Sequence, residues 1–296
     1  MPARRRPPAY ARPVLRILDA RTGEPVPAAP ARRGLTRIEA HASGLDPTDL
    51  RVLLTADLLV RALELGGTPV WTILTAPHRL AELRTAATAL AIRPFEDGRD
   101  LASGLGDAQA IHVVAGDGGP VPGPGPVASV APVVWTGEPG PPAADGTRSG
   151  ATPAESGAGR DAVPGVPPGA SPTPPRLPLP DLLADPAALR LALLSVPRGE
   201  PVHLDRAALD RAAQRLTHWR RAVAAWARRP SRPVPEEVRV RLRAAWEDDL
   251  DLPAVLEVLR DVESAPGVPD GARFETYVYA DRLLALDLPR DLGTLA

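Results

Sequence analysis

The chain reads as an α/β part joined to an all-α part: a truncated Rossmann-like parallel sheet, a Pro/Gly-rich linker and a helical bundle. Three observations predict this. Strand-like and helix-like patterns alternate over 13–117. Gly, Pro, Ala, Ser and Thr dominate 118–175, and helical periodicity without strand signals of note fills 176–296.

The elements follow in order. Residues 1–12, from MPARRRPPAY onward, are basic, predict a disordered N-terminus and lack the apolar run of a signal peptide. Val14–Asp19 and Leu35–His41 read as strands, with ARTGEPVP a turn after the first. Leu50–Leu65 (LRVLLTADLLVRALEL) is a strong amphipathic helix ended by Gly66 and Gly67. Val70–Thr75 reads as a buried strand, Arg79–Ala91 as a helix and Ala110–Ala115 as a strand. Strand–helix–strand–helix–strand argues for a parallel sheet with right-handed crossovers, half of a Rossmann-type fold.

Segment 118–175 is too poor in apolar surface to offset the entropy of ordering it, and predicts a disordered linker with one possible strand at 127–135. A coil of that length spans roughly 40 Å, so the flanking parts need not touch. Beyond it, helices are expected at Leu182–Ser195, Asp205–Arg228, Pro235–Trp246, Pro253–Ser264 and Ala272–Ala285.

Composition excludes chemistry. There is no Cys, Lys or Asn, and Arg supplies all 35 basic side chains. Disulfides, thiolate nucleophiles, cysteine-ligated zinc, Schiff bases and a phosphate-clamping lysine are therefore ruled out. A net charge of −1 makes the chain no polyanion trap. No apolar stretch approaches the ~20 residues of a membrane helix, and the expectation is a soluble cytoplasmic protein.

Several segments carry a resemblance. LRILDARTGEPVP (Leu15–Pro27) looks like the first strand and turn of cysteinyl-tRNA synthetases, a class I family, and LRVLLTADLLVRALELGGTPVWTI (Leu50–Ile73) is similar to that family's first long helix and next strand. DLLADPAALRLALLSVPRGEPVHLDRAAL (Asp181–Leu209) resembles the start of its DALR-type anticodon-binding domain. WEDDLDLPAVLEVL and FETYVYADRLLALDL match that domain's later helices in pattern, so the resemblance covers roughly two thirds of the chain in order.

The resemblance implies a site whose signatures are missing here. Where the family's HIGH-type motif would open the long helix stand Asp46, Pro47, Thr48 and Asp49. Asp46 suits an N-cap, Pro47 the first helical position, and Asp49 falls three residues after the cap. Carboxylates at a helix N-terminus occupy the free N–H groups and repel phosphate. The KMSKS-type region reads SPTPPRLPLP, with Arg176 its single cation, and the family's cysteine-ligated zinc site cannot form. Losing one preorganised charge-stabilising group costs ~3 kcal/mol of transition-state stabilisation, and here all are gone together.

Other candidates are weaker. His41, His78, His112, His203 and His218 form no metal motif with one another or with carboxylates, and His41 and His112 read as core or sheet-end residues. Asp46 and Asp49 as catalytic acids, the acidic WEDDLD as a cation site and Gly116–Gly119 as a phosphate loop all yield to capping, solvation or missing context. The basic helix is more informative: Arg211, Arg215, Arg220, Arg221, Arg228 and Arg229 surround Trp219 and Trp226. Guanidiniums and indoles there could grip phosphates and stack on bases, or the indoles could form a core seam with the arginines solvated outside.

The sequence therefore predicts a pseudoenzyme of the cysteinyl-tRNA synthetase type, without cofactor or metal. It would bind tRNA-like RNA or a genuine synthetase through its helical part, with no membrane and no reading of DNA sequence. The alternatives are a remnant cysteine-activating, ATP-dependent ligase and a purely structural interaction protein.

Overall fold

A computed structural model describes residues 14–29, 36–97, 109–116, 123–136 and 179–293. The predicted N-terminal tail, the segment around Arg176 and most of the predicted linker lie outside these residues. Strands β1 (Arg16–Leu18) and β2 (Pro25–Pro27) form an antiparallel hairpin. Then follow β3 (Thr36–His41), α1 (Pro47–Leu65), β4 (Val70–Thr75), α2 (Leu80–Ala89), β5 (Glu96–Asp97), β6 (Gln109–Ala115), β7 (Val127–Val130) and β8 (Val133–Trp135). The rest comprises α3 (Leu179–Leu182), α4 (Pro186–Leu194), β9 (Val202–Leu204), α5 (Arg206–Trp226), α6 (Glu236–Glu247), α7 (Leu252–Ser264), α8 (Asp270–Leu284) and a 3-10 turn at Leu288–Asp291.

The main sheet has the order β5-β4-β3-β6-β7, with every pairing parallel. From β3 the chain builds outward through β4 and β5, then crosses to the other side of β3 for β6 and β7. The connectivity thus reverses between β3 and β6, the place where open α/β sheets leave a crevice at their strand ends. In β3, Ile38 and Ala40 are fully buried while Arg37, Glu39 and His41 alternate with them toward the opposite face.

Periodicity predicts α1 as amphipathic, yet it is buried nearly all round, Asp49, Arg51, Thr55 and Asp57 included. The sheet covers one side and the helical part covers the other, so the two parts do touch. Arg51 donates to the carbonyls of Ala131 (2.8 Å), Glu200 (2.7 Å), Pro197 (2.7 Å) and Val196 (3.2 Å). Arg190 on α4, 1% exposed, donates to Leu284 O (2.6 Å), Leu90 O (2.7 Å) and the Asp57 carboxylate (3.3 Å). Asp57 also accepts from Arg61 (2.7 Å) and Arg93 (3.2 Å). Burial pulls both the Arg51 and the Arg190 guanidinium down to about 10, so both stay charged at neutral pH.

Two expectations change. The possible strand at 127–135 is two strands: β7 closes one edge of the main sheet and β8 pairs in parallel with β9. The part read as free of strands therefore contains β9, whose three residues become a strand because β8 offers them a partner. The helices follow the periodicity closely. Ala212, Leu216, Trp219, Val223 and Trp226 form the buried stripe of α5.

Candidate functional site

The start of α1, where the resemblance implies nucleotide binding, is occupied by its own side chains. Asp46 accepts from Thr48 N (2.7 Å) and Asp49 N (2.9 Å), and Pro47 takes the first turn. Asp49 does not close a capping box. It faces the preceding loop, accepting from Ser43 N (2.8 Å) and Gly44 N (2.9 Å), because that loop must satisfy its backbone donors where α1 enters the core. Burial raises the Asp49 carboxyl above its ordinary value, opposed by these bonds. The Thr48 hydroxyl accepts from Val133 N (3.1 Å). Two carboxylates and filled donors leave an incoming phosphate little to bind.

The arginines of the basic helix do not form one patch. Trp219 (1% exposed) and Trp226 (9%) pack edge-on against Tyr277, so they are a core seam and their rings cannot stack on bases. The heptad-like spacing that interleaves them with arginines puts them on the buried stripe. Arg220 donates to Leu286 O (2.7 Å) and Asp287 O (3.1 Å), fastening the chain after α8. Arg229 lies 3.9 Å from Asp270, and Arg221 and Arg228 are exposed beyond or beside the seam. Arg211 and Arg215, by contrast, line a groove of about 370 Å³ between α4, β9, α5 and α7, together with His203 and Arg260. Among the described residues no carboxylate lines that groove. Arg215 lies over the Trp219 ring at 5.8 Å, which orients it.

The acidic stretch 246–251 is consumed structurally. Asp249 accepts from Leu18 N (2.7 Å) and Arg198 (3.2 Å), and Asp251 caps α7 through Ala254 N (3.0 Å). Gly116 ends β6, and the remainder of the glycine-rich stretch that follows lies outside the described residues.

A constellation that sequence reading missed sits at the β3–β6 junction. Parallel register places His112 beside Glu39, and His41 lies two residues further along β3 on the face of Glu39. His41 Nε2 is 3.1 Å from His112 Nδ1. Glu39 Oε2 is 3.3 Å from His112 Nδ1 and 3.7 Å from His41 Nε2. His112 Nε2 lies 3.2 Å from Pro124 O, where it donates. Gly125 makes that placement possible: its φ is +124° and a Cβ there would come within 2.1 Å of Ala110 O. Arg37 pairs with the other oxygen of Glu39. The bond to His112, against the effect of burial, holds the Glu39 carboxyl below its ordinary value, and burial together with His112 lowers His41. In the sequence His41 and His112 read as separate sheet residues, and 71 positions of chain hide their proximity. The available signal was Glu39 and His41 at strand spacing, on one face.

Fold and site together define an α/β protein with a parallel sheet, a helical part and a polar junction at the reversal of strand order. No family model matches the chain. A curated relative, the L-cysteine:1D-myo-inositol 2-amino-2-deoxy-alpha-D-glucopyranoside ligase of Parafrankia sp. (strain EAN1pec), is 48% identical over 73 residues. The match spans 25% of this chain and 16% of the relative, well under two thirds of the relative's length, and makes this chain similar in part to a cysteine ligase.

Proposed function

We propose that this protein is a binding protein on a cysteine-ligase-like scaffold, degenerate in the groups that activate cysteine, and that its ligand is a structured RNA of the tRNA kind. The observation that carries the reading is the groove holding Arg211, Arg215 and Arg260 beside His203, with no carboxylate among its described lining residues. Guanidiniums in a partly enclosed, acid-free groove favour phosphate, and a net charge of −1 means the attraction is local. The helical half is also the part that resembles an anticodon-side domain. Loss of cysteine activation is supported by the self-capped start of α1 and the lysine-free composition.

The test is a gel shift of purified protein with total tRNA over a salt series. Binding that weakens as salt rises, and falls at least tenfold in an Arg211→Ala/Arg215→Ala variant, supports the proposal. No binding at low salt overturns it in favour of a protein partner. The partial identity to a ligase favours a second reading, a remnant ATP-dependent cysteine-activating enzyme. Cysteine-dependent ATP–pyrophosphate exchange above background would establish that reading and refute the non-catalytic one.

A further inference from the structure

We propose that Glu39, His41 and His112 form a binding site for one divalent first-row transition ion of the zinc class, at the junction of β3 and β6, with coordination left open for water or a small anionic ligand. The same three atoms, Glu39 Oε2, His41 Nε2 and His112 Nδ1, define all three distances of 3.1, 3.3 and 3.7 Å. A triangle with those sides has its centre about 2.0 Å from each corner, and zinc–nitrogen and zinc–oxygen bonds are about 2.0–2.2 Å long. An ion slightly above that plane reaches all three donors without any of them moving. The edges of an ideal zinc tetrahedron, about 3.3 Å, match the mean spacing.

Proton bookkeeping points the same way. With Nε2–H of His112 given to Pro124 O, its Nδ1 is the atom that meets both a carboxylate oxygen and the second imidazole. A single proton on Nδ1 has to be shared between Glu39 Oε2 at 3.3 Å and His41 Nε2 at 3.1 Å. A cation at the centre satisfies all three at once. The surroundings have the build of a ligand shell: a backbone carbonyl fixes the His112 tautomer, and Arg37 holds the other oxygen of Glu39. His112 is nearly inaccessible, while Glu39 and His41 are less buried, so the open side of the ion faces outward along their edge. Among the described residues no further His or carboxylate joins the cluster. Two imidazoles and a carboxylate with vacant positions make a reactive rather than a closed structural set. The donors contain no cysteine, so this is not the thiolate-ligated centre that the resemblance implies.

The experiment uses the full chain, stripped with chelator and dialysed, then titrated with zinc chloride by calorimetry and with cobalt(II) by visible absorption. One equivalent of zinc binding at micromolar or tighter dissociation constant, and intense cobalt bands of a low-symmetry four- or five-coordinate ion, are expected. Glu39→Gln and His41→Asn should each weaken binding at least a hundredfold, with circular dichroism and melting temperature reporting the fold. His78→Gln with His218→Gln serves as the surface control and should leave binding unchanged. No stoichiometric binding by the native chain overturns the proposal. So does binding of equal strength in folded Glu39→Gln or His41→Asn protein, or loss in the surface control alone.

Discussion

Arginine has two opposite uses in this molecule. Arg51 and Arg190 are about 2% and 1% exposed and bind carbonyls and a carboxylate from both structural parts. Arg211 and Arg215 are exposed at a groove whose described lining holds no acid. One pair ties the chain to itself, and the other leaves its charge available to something else. Charge in this chain therefore has meaning only through its partners: the buried guanidiniums are stabilising because each is met by several carbonyl or carboxylate oxygens, and the exposed pair is informative because no carboxylate is among the described residues lining its groove.

The largest effect should come from breaking the internal set. Arg190→Ala leaves Asp57 with less compensation and two carbonyls unpaired in the core, and should cost about 3–5 kcal/mol, read by chemical denaturation. A loss below about 1 kcal/mol would show that this side chain does not hold the parts together. Arg51→Met keeps length but strands the carbonyls of Ala131, Val196 and Glu200, while Pro197 O keeps the Glu200 N–H, and about 2–3 kcal/mol is expected, with faster amide exchange concentrated near Ala131 and Val196–Glu200. Uniform exchange across the chain would contradict a local tie.

The external set should behave in the reverse way. Arg211→Ala with Arg215→Ala should shift stability by no more than about 0.5 kcal/mol, because neither guanidinium ties one element to another. The same variant should reduce the salt slope of RNA binding by about one unit for each phosphate that the protein no longer grips. A destabilisation as large as that of Arg51→Met would erase the distinction between the two sets.

The smallest effect concerns pH. The folded Asp49 carboxyl lies above its ordinary value because it is buried, so the folded state binds its proton more tightly than the unfolded chain. Its contribution is most favourable at acid pH, and fades as pH rises from the unfolded value of 3.8 through the folded one. Asp49→Asn removes that dependence while keeping one acceptor for the Ser43–Gly44 loop. The stability of native protein relative to Asp49→Asn should therefore fall as pH rises above the unfolded value of 3.8. A difference that grows over that range would show that the two backbone bonds outweigh desolvation.

Some of this was legible in one dimension. The start of α1 follows from Asp46 and Pro47, because capping is local chemistry between residues two or three positions apart. The α5 stripe follows from helical spacing, and β4 from its apolar run. Other features depend on partners far along the chain. Trp219 and Trp226 look like stacking surfaces beside arginines until the core packs them edge-on with Tyr277. β9 has too few residues to announce itself and exists through β8. The all-round burial of α1 needs both a sheet and a helical layer, and no single helix pattern encodes two covers.

Composition and local pattern suffice for the chemistry available and for the individual elements. They settle the absence of thiols and amines, the helix caps, the α/β alternation and the helical run after it. Which charges are spent and which donors meet is a matter of long-range packing. Glu39 and His112 are neighbours because β6 crosses to the far side of β3 and pairs in one particular parallel register. A shift of one residue would turn His112 to the other face of the sheet. That register is fixed by the burial of Ile38, Ala40, Ile111 and Val113 between strand and helix, a preference that no local window of sequence contains.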